Sequence, residues 1–439
     1  MKNEEYREKL HRLIPGGAHT YSRGDDQFPF NAPAILAKGK GAYVWDADGN
    51  KFLDYGMGLR SFTLGYAYDA ISEAAIEEIR KGNNFTRANV TECEAAEVIC
   101  DLIPCAEMVK FAKNGSTVTT AATKLARAYT GRKFIAICAD HPFFTYDDWF
   151  IGSTPLTKGI PEEYVSLTLK FNYNNIESLK ALFDKYPGQI AGVLMEPATV
   201  VHPEDNFLQK VKDTCHANGT VFILDEMITG FRFDLQGAQK YYGVTPDLAT
   251  FGKGMSNGFS TAALVGKREI MNIGGILDEG KERVFLMSTT HGAEMCGLGA
   301  FIKTVEAYKE KNVTDHFWKY GKQLITEANT IAKELGIEEH FGFAGLDALP
   351  YYFAKNKNKE VDFGFRTLFA QEMVKNKVLI PWVSMAYAHQ KEEMEITLDA
   401  VRKSLKVYQE ALTNGLDRYL VGKSIKPVFR MKLKIYLNG

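Results

Sequence analysis

The sequence predicts an α/β fold with a largely parallel sheet, accompanied by a separate α+β unit. Three observations carry that expectation. The chain has 439 residues, 45% of them hydrophobic, which is enough to build two or more domains around real cores. From about residue 107, short apolar runs are each followed by a helical stretch, as expected of strands buried on both faces with helices between them. After about residue 312 the pattern returns to amphipathic helices mixed with short strands.

Taken in order, residues 4–12 form a short charged helix that Pro15-Gly16-Gly17 stops. Residues 42–55, AYVWDADGNKFLDY, hold two alternating apolar runs around Asp48-Gly49, a dipeptide suited to the positive backbone angles of a tight hairpin turn. The same stretch imitates the start of a calcium loop, but its glycine comes too early and no glutamate ligand follows in place. The apolar runs are then MVKFAK (108–113), KFIAIC (133–138), IAGVLM (190–195), TVFILD (220–225), LATFGK (248–253) and TAALVG (261–266). Beyond them lie the helix HFWKYGKQLITEANTIAKEL (316–335) and strands around LPYYFAK (349–355) and VLIPWV (378–383). The expected division is an amino-terminal segment over 1–59 packing with the small domain, a large domain over 60–311, and a carboxyl-terminal small domain over 312–439. The last 22 residues, from Arg418, hold six bases and no acid. Their alternation in VFRMKLKIYL reads as an edge strand or docked extension more readily than as a binding arm.

Composition narrows the function. With 53 basic and 54 acidic side chains the net charge is −1, without the basic excess of a nucleic-acid binder. The amino terminus lacks the apolar segment of a secretory signal, and no stretch approaches the ~20 apolar residues of a membrane span. Six cysteines are scattered without paired spacing, so they read as reduced core residues of a cytoplasmic protein.

In open parallel sheets ligands bind beyond the carboxyl ends of the strands, so the residues after each run define a candidate site. After the first comes Asn114-Gly115-Ser116-Thr117 opening a helix, whose free amides and hydroxyl suit a phosphate. The second is followed by the aromatic loop His141 to Tyr146, including Phe143, on which a flat ligand stacks. Glu196, Asp225 with Glu226, and Lys253 end the next three. Taken singly, these are an ordinary helix cap, turn residues and a solvated lysine. Together, a phosphate cradle, a stacking ring, a carboxylate and a lysine are what pyridoxal phosphate needs. No GxxxxGK[ST], strand-following GxGxxG or HExxH pattern competes, and no metal site is expected.

The run Leu224-Asp225-Glu226-Met227-Ile228-Thr229-Gly230-Phe231-Arg232, followed by Pro246-Asp247-Leu248-Ala249-Thr250-Phe251-Gly252-Lys253, resembles the signature of class III pyridoxal-phosphate aminotransferases. Within that class it is most similar to the glutamate-1-semialdehyde aminomutase-like branch, over nearly the whole chain from Pro15 to His389. The resemblance implies a fold-type I enzyme whose large domain carries a mostly parallel seven-stranded sheet, beside a smaller α+β domain. It implies Lys253 as Schiff-base lysine and proton-transfer base, and Asp225 as partner of the pyridinium nitrogen. Met227 would pack on the ring face opposite an aromatic, and Gly115 and Ser116 would form the phosphate turn, with Glu196 also at the cofactor. Phe143 stands where the family has the tyrosine of a Tyr-His-Gly motif. Thr289, in Ser288-Thr289-Thr290-His291-Gly292, matches a threonine that reaches the neighbouring subunit's phosphate, which implies a homodimer with shared sites.

Substrate residues are less uniform. Arg23 lies where the aminomutase has its carboxylate-binding arginine, and Arg60 occupies a substrate-facing stretch that is usually apolar or aromatic. Pro381-Trp382 replaces the glutamate that the mutase carries before its Ser-x-Ala-His element. These departures favour an aminotransferase that takes an amino donor such as glutamate and an aldehyde or ketone acceptor, phosphorylated or nucleotide-linked. The motif Ile425 to Arg430 resembles branch members associated with surface polysaccharides. An aminomutase making 5-aminolevulinate, and a non-catalytic binding protein on the same fold, stay open. So does a structural ion pair of Arg23 or Arg60 with Asp25 or Asp26.

Overall fold

A computed structural model describes residues 2–277, 280, 282–426 and 428. The chain divides into two compact units. One comprises the chain up to Tyr68 together with the described residues from Asp315 onward, and the other runs Asp69–Thr314.

The first unit opens with the helix Lys2–Leu13, then β1 (Leu36–Lys40), β2 (Tyr43–Asp46) and β3 (Lys51–Asp54). β2 and β3 form the expected hairpin, with Tyr43 opposite Leu53 and Trp45 opposite Lys51. Its turn corrects the expectation in one respect: at the Asp48-Gly49 dipeptide only Gly49 takes a positive φ, 88°. The bend is held by Asp46, whose Oδ1 accepts the amides of Asp48 (3.0 Å) and Asn50 (2.8 Å).

The second unit contains β4 (Met108–Ala112), β5 (Phe134–Cys138), β6 (Thr168–Phe171), β7 (Ile190–Met195), β8 (Val221–Asp225), β9 (Leu248–Phe251) and β10 (Ala262–Gly266). They form one seven-stranded sheet in the order β4-β10-β9-β8-β7-β5-β6. β5 through β9 pair in parallel, while β10 runs antiparallel to both β4 and β9. The mostly parallel sheet is therefore as expected, with two refinements. β9 leads to β10 through the 3-10 turn Lys253–Ser256 rather than a long helix, and β6, TLKF, lies outside the six apolar runs. As an edge strand β6 buries only its two end residues, Thr168 and Phe171, whereas β5, β7, β8, β9 and β10 are buried at every position. One face packs Phe207, Val211 and Cys215 of the helix Phe207–Ala217 against Val193, Phe222 and Leu224.

Returning to the first unit, β11 (Phe341–Leu346) and β12 (Leu349–Ala354) form a hairpin. Phe341, Phe343, Tyr352 and Phe369 stack around it, with ring centroids 4.4 to 6.4 Å apart. β13 (Val378–Leu379) adds in parallel to β3, completing the sheet β1-β2-β3-β13. The closing helix Lys391–Asn414 starts on a capping box between Gln390 and Glu393 and ends at Gly415, φ 91°.

All six cysteines are free, but only Cys105, Cys138 and Cys215 are core residues; Cys93 is exposed, and Cys100 and Cys296 are half-buried. Most of the basic tail lies outside the described residues. Among the described residues no helix is long and apolar enough to cross a membrane.

Candidate functional site

The second unit brings the strand-end residues to one edge of its sheet. Asp225 closes β8 opposite Thr250 of β9, and Lys253 begins the turn that leaves β9. Asp225 is buried, and its hydrogen bonds from Met227 N–H (3.0 Å) and Thr250 Oγ1 (3.1 Å) both fall on Oδ1, so Oδ2 is the oxygen that would meet a protonated ring nitrogen. Burial raises its pKa from 3.8 to about 6, against the lowering effect of the Lys253 cation and of these two bonds. Lys253 itself has φ 43°, a left-handed conformation that a residue with a Cβ adopts at a cost and that is concentrated at functional positions.

The helix Gly115–Thr130 packs across β7, β9 and β10. Asn114 caps it by accepting the Thr117 amide (3.0 Å), which leaves the first-turn amides of Gly115 and Ser116 for an anion. Ser116 Oγ accepts the Tyr146 amide (3.2 Å) and keeps its own O–H to donate. A Cβ on Gly115 would come within 2.8 Å of Met227 Sδ, and one on Gly252 within 2.7 Å. The thioether thus lies between two glycines, at the strand ends where a flat ring is expected.

Phe143 is 44% exposed and meets Phe150 edge-on at 5.7 Å, while its neighbour Phe144 is buried. Glu196 is buried after β7, and its amide donates to His141 Nδ1 (3.0 Å). That bond assigns the ring proton to Nε2. Burial drives the His141 pKa down to about 3, so the imidazole is neutral. Thr289 is exposed in the coil before the helix Met295–Lys311, next to an anchor in which Lys113 (2.8 Å) and Asn83 (2.7 Å) both bond Glu294.

Glu226 is structural. Its fully buried carboxylate accepts the amides of Ala238 (2.6 Å) and Gln239 (3.0 Å) and the Thr229 hydroxyl (3.0 Å). Replacing Glu226 by alanine leaves two buried amides unpaired and is expected to cost about 3 kcal/mol, seen as a lower denaturant midpoint without a change of spectroscopic fold.

The donor set fits pyridoxal phosphate: a carboxylate for its ring nitrogen, a lysine for its aldehyde, free amides for its phosphate, and flanks of small, thioether and aromatic groups. Sequence reasoning did not single out Thr250 or His141. Thr250 could have been found from the register of two adjacent parallel strands, whereas the His141 bond depends on a loop path that no local pattern encodes.

The first unit places the other residues. A cavity of about 790 Å³ is lined by Arg23 and Trp382 with Leu59, Phe62 and Tyr66, and by Arg7, His11 and His19. The alternative for Arg23, an ion pair with Asp25 or Asp26, is not formed. Asp25 instead pairs with His11 (2.8 Å) and Arg7 (3.4 Å), and among the described residues no carboxylate pairs with Arg23. Arg60 is half-buried and ends a left-handed turn, in which Met57, Gly58, Leu59 and Arg60 have φ of 41°, 55°, 65° and 68°. Each non-glycine residue there costs roughly 1–2 kcal/mol. Trp382 donates its indole N–H to Gly56 O (3.1 Å).

Fold and site together define a pyridoxal-phosphate enzyme. A model of the family "Aminotransferase class-III" matches residues 21–339, and the chain belongs to that family. It is similar to a 3-aminobutyryl-CoA aminotransferase of Cloacimonas acidaminovorans (strain Evry), with 32% identity over 91% of this chain and 95% of the relative. To a glutamate-1-semialdehyde 2,1-aminomutase of Aquifex aeolicus (strain VF5) the identity is 30%, covering 92% of this chain and all of that one (100%). Its fold matches the FumI protein of Sphingopyxis sp. MTA144, solved in its PLP internal aldimine form, with a TM-score of 0.84, 24% identity, and coverage of 94% and 97% of the two chains. The cofactor of this class III enzyme is pyridoxal 5'-phosphate.

Proposed function

We propose that the protein is an aminotransferase that moves an amino group from an amino-acid donor, glutamate, to an aldehyde or ketone carrying a phosphate or nucleotide group. The observation that carries the chemistry is the buried Asp225, one oxygen engaged and one open, under the charge of Lys253. Pyridoxal phosphate, when bound, supplies an electron-accepting ring that takes up the electrons released as the donor's Cα–H bond breaks. Lys253 Nζ takes that proton and would return it two bonds away, to the cofactor carbon across the amino nitrogen. Asp225 keeps the ring nitrogen protonated through a charge fixed before reaction. Gly115 and Ser116 hold the phosphate, Phe143 and Met227 flank the ring, and Glu196 borders it.

Cavity size and charge in the first unit favour a large anionic acceptor. A volume of about 790 Å³ suits a drug-sized ligand, well beyond a five-carbon amino aldehyde, and Arg23 offers an uncompensated cation. Arg60 and Trp382 are assigned to the same substrate. One relative is named for a coenzyme A-linked substrate, which is of this chemical kind. The association with surface polysaccharides rests on a tail motif whose Pro427, Phe429 and Arg430 lie outside the described residues. The exposed Thr289 supports a homodimer with shared sites. Mixing subunits carrying Lys253→Ala with subunits carrying Thr289→Val is expected to restore part of the activity that each loses alone.

The deciding experiment supplies L-glutamate with matched phosphorylated and unphosphorylated aldehydes. Release of 2-oxoglutarate dependent on the aldehyde is expected. Rearrangement of glutamate-1-semialdehyde with no external donor would instead make the protein the aminomutase, and absence of any amino transfer would leave the binding-protein reading.

A further inference from the structure

The left-handed turn Met57–Arg60 is the longest run of positive φ among the described residues, and one device holds it. Asp54, buried at the end of β3, accepts the Gly56 amide on Oδ1 (2.8 Å) and the Met57 amide on Oδ2 (3.0 Å). Tyr66 donates its hydroxyl to the same Oδ2 (2.6 Å) and accepts the Gly58 amide (2.9 Å). Three successive amides that the turn itself leaves unpaired are thus taken by one carboxylate and one phenol, as an N-cap takes the first amides of an ordinary helix. The Tyr66 ring cannot swing away: it lies against Gly39, where a Cβ would come within 2.7 Å of it, and against Phe62, with centroids 4.4 Å apart.

Backbone held this far from its preferred region persists only where the surroundings over-determine it, and here the strained stretch is a wall of the large cavity. Asp54, Gly58, Leu59 and Tyr66 all line it with Arg23, and the charge of Arg23 acts on the Tyr66 phenol. We propose that Asp54 and Tyr66 are positioning residues for substrate recognition, a carboxylate–phenol clamp that keeps the turn left-handed and so fixes Leu59 in the pocket wall beside Arg23. This rests on the reading of that cavity as the site of the anionic carbonyl substrate.

The test uses the pyridoxal phosphate-loaded enzyme with glyceraldehyde 3-phosphate and glyceraldehyde as probes. Tyr66→Phe keeps the ring and removes only the hydroxyl. It is expected to raise hydrogen exchange at the Gly58 amide, which loses its acceptor, at least ~10-fold. The preference in kcat/KM for the phosphorylated aldehyde should fall by a similar factor, through the KM of that aldehyde. Leu59→Gly, which suits a positive φ and removes the side chain, should lower the preference without raising exchange. Unchanged exchange in Tyr66→Phe overturns the clamp. Raised exchange with an unchanged preference, or an unchanged preference in Leu59→Gly, overturns its role in recognition. If the unsubstituted enzyme handles both aldehydes equally or neither, the anionic-substrate reading itself fails and takes the proposal with it.

Discussion

Asp225→Asn is expected to lower kcat by on the order of 10²–10³-fold while making the cofactor-free protein more stable at neutral pH. Asparagine retains an Oδ1 for the Met227 amide and the Thr250 hydroxyl, so the geometry survives and the negative charge is what disappears. Burial moves the Asp225 carboxyl from 3.8 to about 6, so its folded value lies above its unfolded one. Its favourable contribution is therefore complete below about 3.8 and is lost as pH rises towards 6. Above that window the cofactor-free enzyme carries a buried anion at a cost of up to ~3 kcal/mol, which the asparagine variant avoids. Thermal unfolding of the two proteins should diverge by several degrees at pH ~7.5 and converge near pH ~4. Adding pyridoxal phosphate should close or invert the gap, because the ring nitrogen gives the carboxylate its partner.

Lys253→Ala is expected to abolish both turnover, by on the order of 10⁴-fold or more, and the visible absorbance of lysine-bound cofactor. The alanine methyl must still adopt φ near 43°, so Lys253→Gly serves as a control that removes the same amine without the backbone cost. If the loss came from backbone strain, the glycine variant would recover rate; if from the missing amine, it would not. Added small primary amines should restore a fraction of the proton transfer in both variants. A Lys253→Ala enzyme retaining its absorbance would overturn the assignment of the lysine.

Much of the second unit could be read from residues alone because burial on both faces turns β5, β7, β8, β9 and β10 into uninterrupted apolar runs. Each run then points to the residue that follows it, which is how Asp225 and Lys253 come to light. β6 escapes notice because an edge strand needs only one buried face, and TLKF is too short to display alternation. Asp48-Gly49 marks a turn correctly, yet asparagine and aspartate rules overstate the number of positive angles, since the Asp46 side chain closes the bend with one.

The first unit was less open to such reading. Nothing in Met57-Gly58-Leu59-Arg60 advertises a left-handed turn, because leucine and arginine disfavour it and the restraint comes from Tyr66 and from the Asp54 carboxylate. Arg23 was placed by spacing, but its lack of an acidic partner depends on Arg7 and His11 drawing Asp25 away. Such competition for a carboxylate is a matter of three-dimensional neighbours.

The parallel pairing of β3 with β13, Leu53 beside Val378 and Asp54 beside Leu379, has a consequence for the order in which the molecule is made. A ribosome delivers β3 early and its sheet partner more than three hundred residues later, after the entire second unit has emerged. Closing so long a span costs only ~0.6 kcal/mol for each doubling of its length, but the pairing has to wait for synthesis. Domains fold as units while the chain emerges, so the cofactor-binding half can reach its native form first. The strand carrying Asp54, and with it the recognition turn, is finished last, so a nascent enzyme would acquire its cofactor site before its choice of substrate.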